Sequence, residues 1–206
     1  MTSAPKAMSQ SARQPQHDSE KRLSGRGSAY PRRVPILEVR RHAERATVPG
    51  DSALSAAGRA MAASLAGTKY QLVVASPLPR AQETARLIGG GLDGTEPSLL
   101  PDIGGANLFG AVATLAAWAR LLAERDEVRA FADQQLAAWS ALARRVGERD
   151  RVLAISHGGI IDLPAVSLGA RLGAPLTGPS FGHCEGVRVT YAKGAPVRLE
   201  LLRTRG

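Results

Sequence analysis

Three polar clusters stand at the ends of short apolar runs. They are Arg40-Arg41-His42 after residues 34–39, Ser76 through Arg80 after 70–75, and Ser156-His157-Gly158-Gly159 after 151–155. Their residue types suit an anion carrying close to two negative charges, above all a phosphate monoester. Arg41 and Arg80 offer planar forks that match phosphate oxygens two at a time. His157 precedes a pair of glycines at an expected helix start, where bare N–H groups and the helix dipole favour an anion. Glycine at position 158 lets the backbone come close, so Gly158 joins the phosphate-binding candidates. His42 sits where a strand gives way to a loop. A neutral imidazole there can attack phosphorus if its other ring nitrogen donates to a carbonyl.

Such a constellation needs rigid elements behind it. Residues 34–39, 70–75 and 151–155 read as strands. Ser55 caps an Ala- and Leu-rich helix reaching about residue 66, with Gly67 as its stop. Residues 79–88 form a helix halted by Gly89-Gly90-Gly91, and 92–110 read as loop. Two helical stretches follow at about 111–124 and 126–147, the first marked by Leu115, Trp118 and Leu122 on one face. A helix opening at residues 156–159 runs to about 170. Residues 186–191 and 197–202 flank a five-residue connection, 192–196, as a hairpin. Strands alternating with helices imply an α/β three-layer sandwich, a mostly parallel central sheet with helices on both faces. Ligands bind such sheets at the carboxyl ends of the strands, where all three clusters lie. Helices 111–147 are expected to form part of a lid or rim.

Composition bounds the rest. The chain has 206 residues and a formal net charge of +9. Seven Lys/Arg against two acidic residues in 1–33 carry +5 of that charge. That Ser-, Gln- and Arg-rich stretch reads as a disordered basic tail, leaving 34–206 as the catalytic domain. The single cysteine, Cys184, excludes an internal disulfide and suits a reducing compartment. With no membrane-length apolar run and no signal-like segment, the expected location is cytoplasmic.

The motifs carry a resemblance to a family. Val39 through Glu44, with Arg41-His42 at its centre, resembles the histidine phosphatase superfamily signature, usually Arg-His-Gly followed by Glu. Ala43 stands in place of that glycine. Leu54-Ser55-Ala-Ala-Gly58 is similar to the family's next landmark, a Leu-Ser/Thr-x-x-Gly helix start. Ser76-Pro77-Leu78-Pro79-Arg80-Ala81-Gln82-Glu83-Thr84-Ala85 resembles its Ser-Pro-Leu-x-Arg-Ala-x-x-Thr-Ala segment, and Ser156-His157-Gly158-Gly159 its second histidine motif. The resemblance implies a phosphoglycerate-mutase-like fold and a covalent phosphohistidine on His42. Arg41, Arg80 and His157 would bind the transferred group, making His157 both a catalytic and a binding residue. An acid in a Leu-x-Glu segment would protonate the leaving oxygen. The matching stretch here is Leu100-Pro101-Asp102, which makes Asp102 the candidate acid and Glu44 the reserve.

Other readings use the same residues differently. A phosphoglycerate-mutase-type phosphotransferase needs the same phosphohistidine and a second acceptor. A serine hydrolase would use Ser156 with Asp162 and His183, leaving Arg41-His42 without a task. A non-catalytic phosphate- or nucleic-acid-binding module would show salt-dependent polyanion binding without turnover. No residue spacing supports a metal site, and Gly89 through Gly94 follows a helix instead of the strand a dinucleotide motif requires. The expected partner is a small phosphorylated substrate, with no cofactor, no membrane and no specific nucleic acid. Arg40 is expected at the surface, and His183 in a loop or core role, with the pocket rim as its alternative.

Overall fold

A computed structural model describes residues 34–47, 53–101 and 112–204. The basic stretch 1–33 and the candidate acid Asp102 lie outside the described residues. Among the described residues six strands form one sheet: β1 (Ile36–Arg41), β2 (Leu72–Ala75), β3 (Gly94–Thr95), β4 (Arg151–Ser156), β5 (Gly186–Ala192) and β6 (Ala195–Leu202). Their order is β3-β2-β4-β1-β5-β6. The first four run parallel, while β5 pairs antiparallel with β1 and β6 with β5. Among the described residues five helices accompany them: α1 (Ala56–Ser64), α2 (Pro79–Gly89), α3 (Leu115–Glu124), α4 (Asp126–Ala143) and α5 (Asp162–Arg171). The fold is therefore the expected α/β sandwich.

Strand parity builds the two layers, because successive side chains leave opposite faces. Leu37 and Val39 of β1, Val74 of β2, and Val152 and Ala154 of β4 share one core with α3, α4 and α5. Val73 and Ala75 of β2, with Leu153 and Ile155 of β4, share the other with α1 and α2. On this second face β1 carries Glu38 and Arg40 instead of apolar residues. Glu38 is buried, accepting from Arg40 Nε, Tyr70 Oη and both the Nε and Nη2 of Arg188. Its burial raises the carboxyl pKa, but Arg40 and Arg188 outweigh that and hold it below the usual carboxylate range.

Several expectations change. Arg40 is not a surface residue: its side chain is 11% exposed, and it also donates to the Cys184 carbonyl. The loop expected over 92–110 contains β3 and a 3-10 turn, Pro97–Leu99. Two residues of strand have no period to read. α4 is no lid, since Phe131, Leu136 and Trp139 bury its face in the core. The hairpin connection is only Lys193-Gly194, both with positive φ. Pro196 nevertheless sits in a strand, because β6 is an edge and a bulge beside Thr190/Tyr191 absorbs the misfit. The helix expected to open at residues 156–159 begins at Asp162, after a turn in which Gly159 has φ of 77°.

Candidate active site

The carboxyl ends of β1, β2 and β4 meet at a cavity of about 300 Å3 that His42, Arg41, Arg80, His157 and Gly158 all line. Register makes the meeting possible. Arg41 pairs with Ser156 across β1 and β4, and the His42 amide donates to the Ser156 carbonyl at 2.9 Å. The next residue is fixed from α2, where Thr84 Oγ1 accepts from the Ala43 amide at 3.0 Å and donates to the Arg80 carbonyl at 2.7 Å. One buried hydroxyl thus ties the His42 loop to the helix that carries Arg80. Pro79 opens that helix, a position where its missing N–H is harmless.

The imidazole of His42 is 6% exposed. Its Nδ1 lies 2.6 Å from the Ala43 carbonyl and can only donate there, so Nδ1 carries the proton. Nε2 is left with its lone pair and accepts from Arg80 Nε at 3.1 Å. The His157 ring stands edge-on at 5.1 Å between centroids. Its Nε2 is 2.8 Å from Ser76 Oγ and its Nδ1 is 3.4 Å from Arg80 Nη2. Arg80 Nη2 can only donate, so the Nε2 of a neutral His157 holds the proton and points at Ser76. Arg41 Nη1 donates to the Phe181 carbonyl at 2.8 Å, while its buried Nε has no hydrogen-bond partner among the described residues. The guanidinium lies flat on Gly158, where a Cβ would sit 3.2 Å from Cζ. That is why the position tolerates no side chain without moving Arg41.

Two residues with no assigned task in phosphate binding support the cluster. Asp162, fully buried, accepts from the Gly159 amide at 2.7 Å and the Phe181 amide at 2.9 Å. Its charge also opposes the desolvation that pulls the Arg41 pKa down. His183, in the loop before β5, lies beside the site: its ring centroid is 6.0 Å from that of His42. The Cys184 amide bonds the Arg41 carbonyl at 3.1 Å and so brings His183 there. Glu44, the reserve acid, is exposed and accepts from Ser55 Oγ at 2.7 Å. The hydroxyl of Ser156 is buried and donates to the Leu99 carbonyl at 2.9 Å, and both Asp162 oxygens are held by backbone amides. Neither is arranged as a serine hydrolase requires.

Residues 38–108 match the model of the histidine phosphatase superfamily, branch 1. Over that segment the chain is similar to the superfamily. No curated protein matches it by sequence. Among solved structures its fold is similar to an Entamoeba histolytica phosphoserine phosphatase in complex with 3-phosphoglyceric acid. That match has 16% identity and a TM-score of 0.60, covering 84% of this chain and 98% of that chain. A phosphoglycerate mutase from Bacillus anthracis str. Sterne is similar at 19% identity and TM-score 0.53, covering 81% and 92%. The Shigella flexneri alpha-ribazole phosphatase is similar at 19% identity and TM-score 0.51, covering 82% and 96%. At these identities the likeness is one of fold, and the fold is phosphoglycerate-mutase-like.

Both central histidines are held neutral. Burial lowers the His42 pKa to about 4, assisted by Arg80 and Arg41 and opposed by the Ala43 hydrogen bond. Burial lowers that of His157 to about 3, with His42, Arg80 and Arg41 adding to the effect. Burial and Arg41 depress His183 too, against the pull of Glu44. A depressed histidine pKa means that the unfolded chain binds protons the fold refuses. The contribution of these two histidines to stability is therefore fully present above pH 6.5 and is lost as the pH drops toward 4. The slope is about 1.4 kcal/mol per pH unit for each of the two histidines. Urea titrations at pH 7.0 and 5.0 should show that loss, and the His42 Cε1–H resonance should keep its neutral shift at pH 6. A His42 midpoint near 6.5 would contradict the assignment.

Among the described residues no helix is long and apolar enough to cross a membrane, and no group of three potential ligands could hold a metal ion.

Proposed function

We propose that the chain is a phosphomonoester hydrolase acting through a phosphohistidine on His42. The observation that carries this reading is the contact that fixes the tautomer: Nδ1–H donates to the Ala43 carbonyl, leaving a lone pair on Nε2 directed at the cations. Nε2 attacks phosphorus in line, the P–O bond to the alcohol breaks, and the leaving oxygen takes a proton from an acid. Water then attacks the phosphohistidine, giving its proton to the conjugate base and releasing inorganic phosphate. Both steps are balanced by one acid–base pair, with no change in oxidation state.

Charge stabilisation does most of the work in such transfers. The Arg41 and Arg80 guanidinium groups neutralise the equatorial oxygens, and Gly158 lets Arg41 lie close. His157 completes the cage. A dianion between its ring and that of His42 favours the protonated imidazole, reversing the depression present in the empty site. These side chains supply the positive charge that a metal ion provides elsewhere, so turnover should persist in EDTA. A small phosphorylated substrate, a cytoplasmic setting and a domain boundary near residue 33 belong to the same reading.

We assign the acid to Asp102, because its neighbour Pro101 lines the cavity. Asp102→Ala should slow an alkyl phosphate by about 100-fold but p-nitrophenyl phosphate by only a few-fold, since that leaving group needs no proton. Equal slowing of both esters would move the acid elsewhere.

A further inference from the structure

We propose that the site takes phosphate monoesters of uncharged, largely apolar alcohols, and disfavours esters that carry a carboxylate or second phosphate beside the reacting group. The proposal rests on the phosphohydrolase reading above and concerns the wall facing the leaving group.

That wall is formed by Pro101, Val112, Trp118 and Ser180. Its side-chain polar atoms, the Trp118 indole N–H and the Ser180 hydroxyl, are used internally. The Ser180 hydroxyl donates to the Val112 carbonyl at 3.0 Å and accepts from Trp118 Nε1 at 2.9 Å. The Ser180 amide donates to the Ala113 carbonyl at 3.0 Å. One serine thus satisfies the indole N–H and the Val112 carbonyl together and leaves carbon surfaces of valine, proline and indole toward the cavity. An ordered, pre-satisfied wall of this kind gains from apolar contact and cannot hydrogen-bond a polar substituent without breaking its own bonds.

Charge points the same way. Every described cation that lines the cavity belongs to the phosphate end, as Arg41 or Arg80. Arg203 lies behind the wall, stacked on Phe181 at 4.9 Å, and is held by Glu185 Oε2 and the Pro179 and Ser180 carbonyls. Arg120 lines a separate cavity on the other side of Val112, together with Glu124. A carboxylate next to the ester would lose its water against carbon and gain no partner among the described residues, a cost that an aryl-alkyl or aliphatic alcohol escapes.

The test compares esters whose leaving alcohols have similar basicity, so that chemistry does not masquerade as recognition. 2-Phenylethyl phosphate and n-butyl phosphate are set against glycerol 3-phosphate, phosphoserine and 3-phosphoglycerate. The expected kcat/KM for 2-phenylethyl phosphate is at least about 10-fold above that for 3-phosphoglycerate. Trp118→Ala should shrink that ratio several-fold. Should loss of a buried indole prevent folding, Val112→Lys, at a half-buried rim position, provides the second arm. It places an ammonium on the wall and should lower the ratio about 10-fold or reverse it. A wild type that prefers 3-phosphoglycerate or phosphoserine overturns the proposal, as does a ratio unmoved by both folded variants, while the phosphohydrolase reading survives. Turnover of none of the five esters, nor of p-nitrophenyl phosphate, would overturn that underlying reading as well.

Discussion

His42→Ala is expected to lower kcat at least about 10000-fold on any phosphomonoester, the size of loss seen when a covalent nucleophile is removed from a preorganised site. The fold should hardly notice. The ring's hydrogen bonds among the described residues are one to its own neighbour, Ala43, and one to Arg80, and the backbone amide that joins β1 to β4 remains. Arg41, Arg80 and His157 also remain. Binding of inorganic phosphate should therefore stay within several-fold of wild type while turnover disappears. Single-turnover assays beside isothermal titration separate the two quantities. Near-wild-type kcat would remove the nucleophile from the scheme, and loss of phosphate binding alone would make His42 a binding residue.

The largest expected effect on stability is at Asp162. Its two oxygens accept from the amides of Gly159 and Phe181, joining the turn after β4 to the loop before β5. Alanine there leaves two buried donors unsatisfied and removes the negative charge that faces Arg41. Removing one partner of such an arrangement costs about 3–4 kcal/mol. Asp162→Asn should recover only part, since one of its two side-chain atoms is a donor and meets an N–H. Urea unfolding at pH 7 gives these numbers directly. Weaker phosphate binding should accompany them, because the Phe181 carbonyl that orients Arg41 belongs to the same loop. An Asp162→Ala variant within 1 kcal/mol of wild type would mean that the two loops are held by other contacts.

The sequence is informative where function rests on local pattern and silent where it rests on long-range pairing. Strand parity separates Arg41 from Arg40, and the strand ends place Arg41, His42, Arg80 and His157 on one edge of the sheet. Ser55 is visible as a cap, and its hydroxyl does accept from the Gly58 amide at 2.9 Å. Burial of Arg40 is not visible, because its partner Glu38 gathers Arg188 and Tyr70 from 150 and 32 residues away. The late start of α5 follows from Asp162 capturing the Gly159 amide, and the carboxylate is held there by Phe181, 19 residues downstream. His183 stands in no motif. It reaches His42 because Gly186 lets β5 press against β1, where a Cβ would meet the Val39 carbonyl oxygen at 2.0 Å. That close approach is the one signal at the sequence level, a glycine at a strand start, and it says nothing about a neighbouring imidazole.

The claim beneath all of this is that the His42 Nε2 lone pair receives a phosphoryl group. Rapid mixing with a good aryl phosphate, alkaline quenching and mass spectrometry of the digest tests it most directly. One added phosphoryl group is expected on the peptide containing His42, stable in base, lost in acid and absent from His42→Ala. Label on another residue, or burst-free turnover with no phosphopeptide in an active preparation, would contradict it.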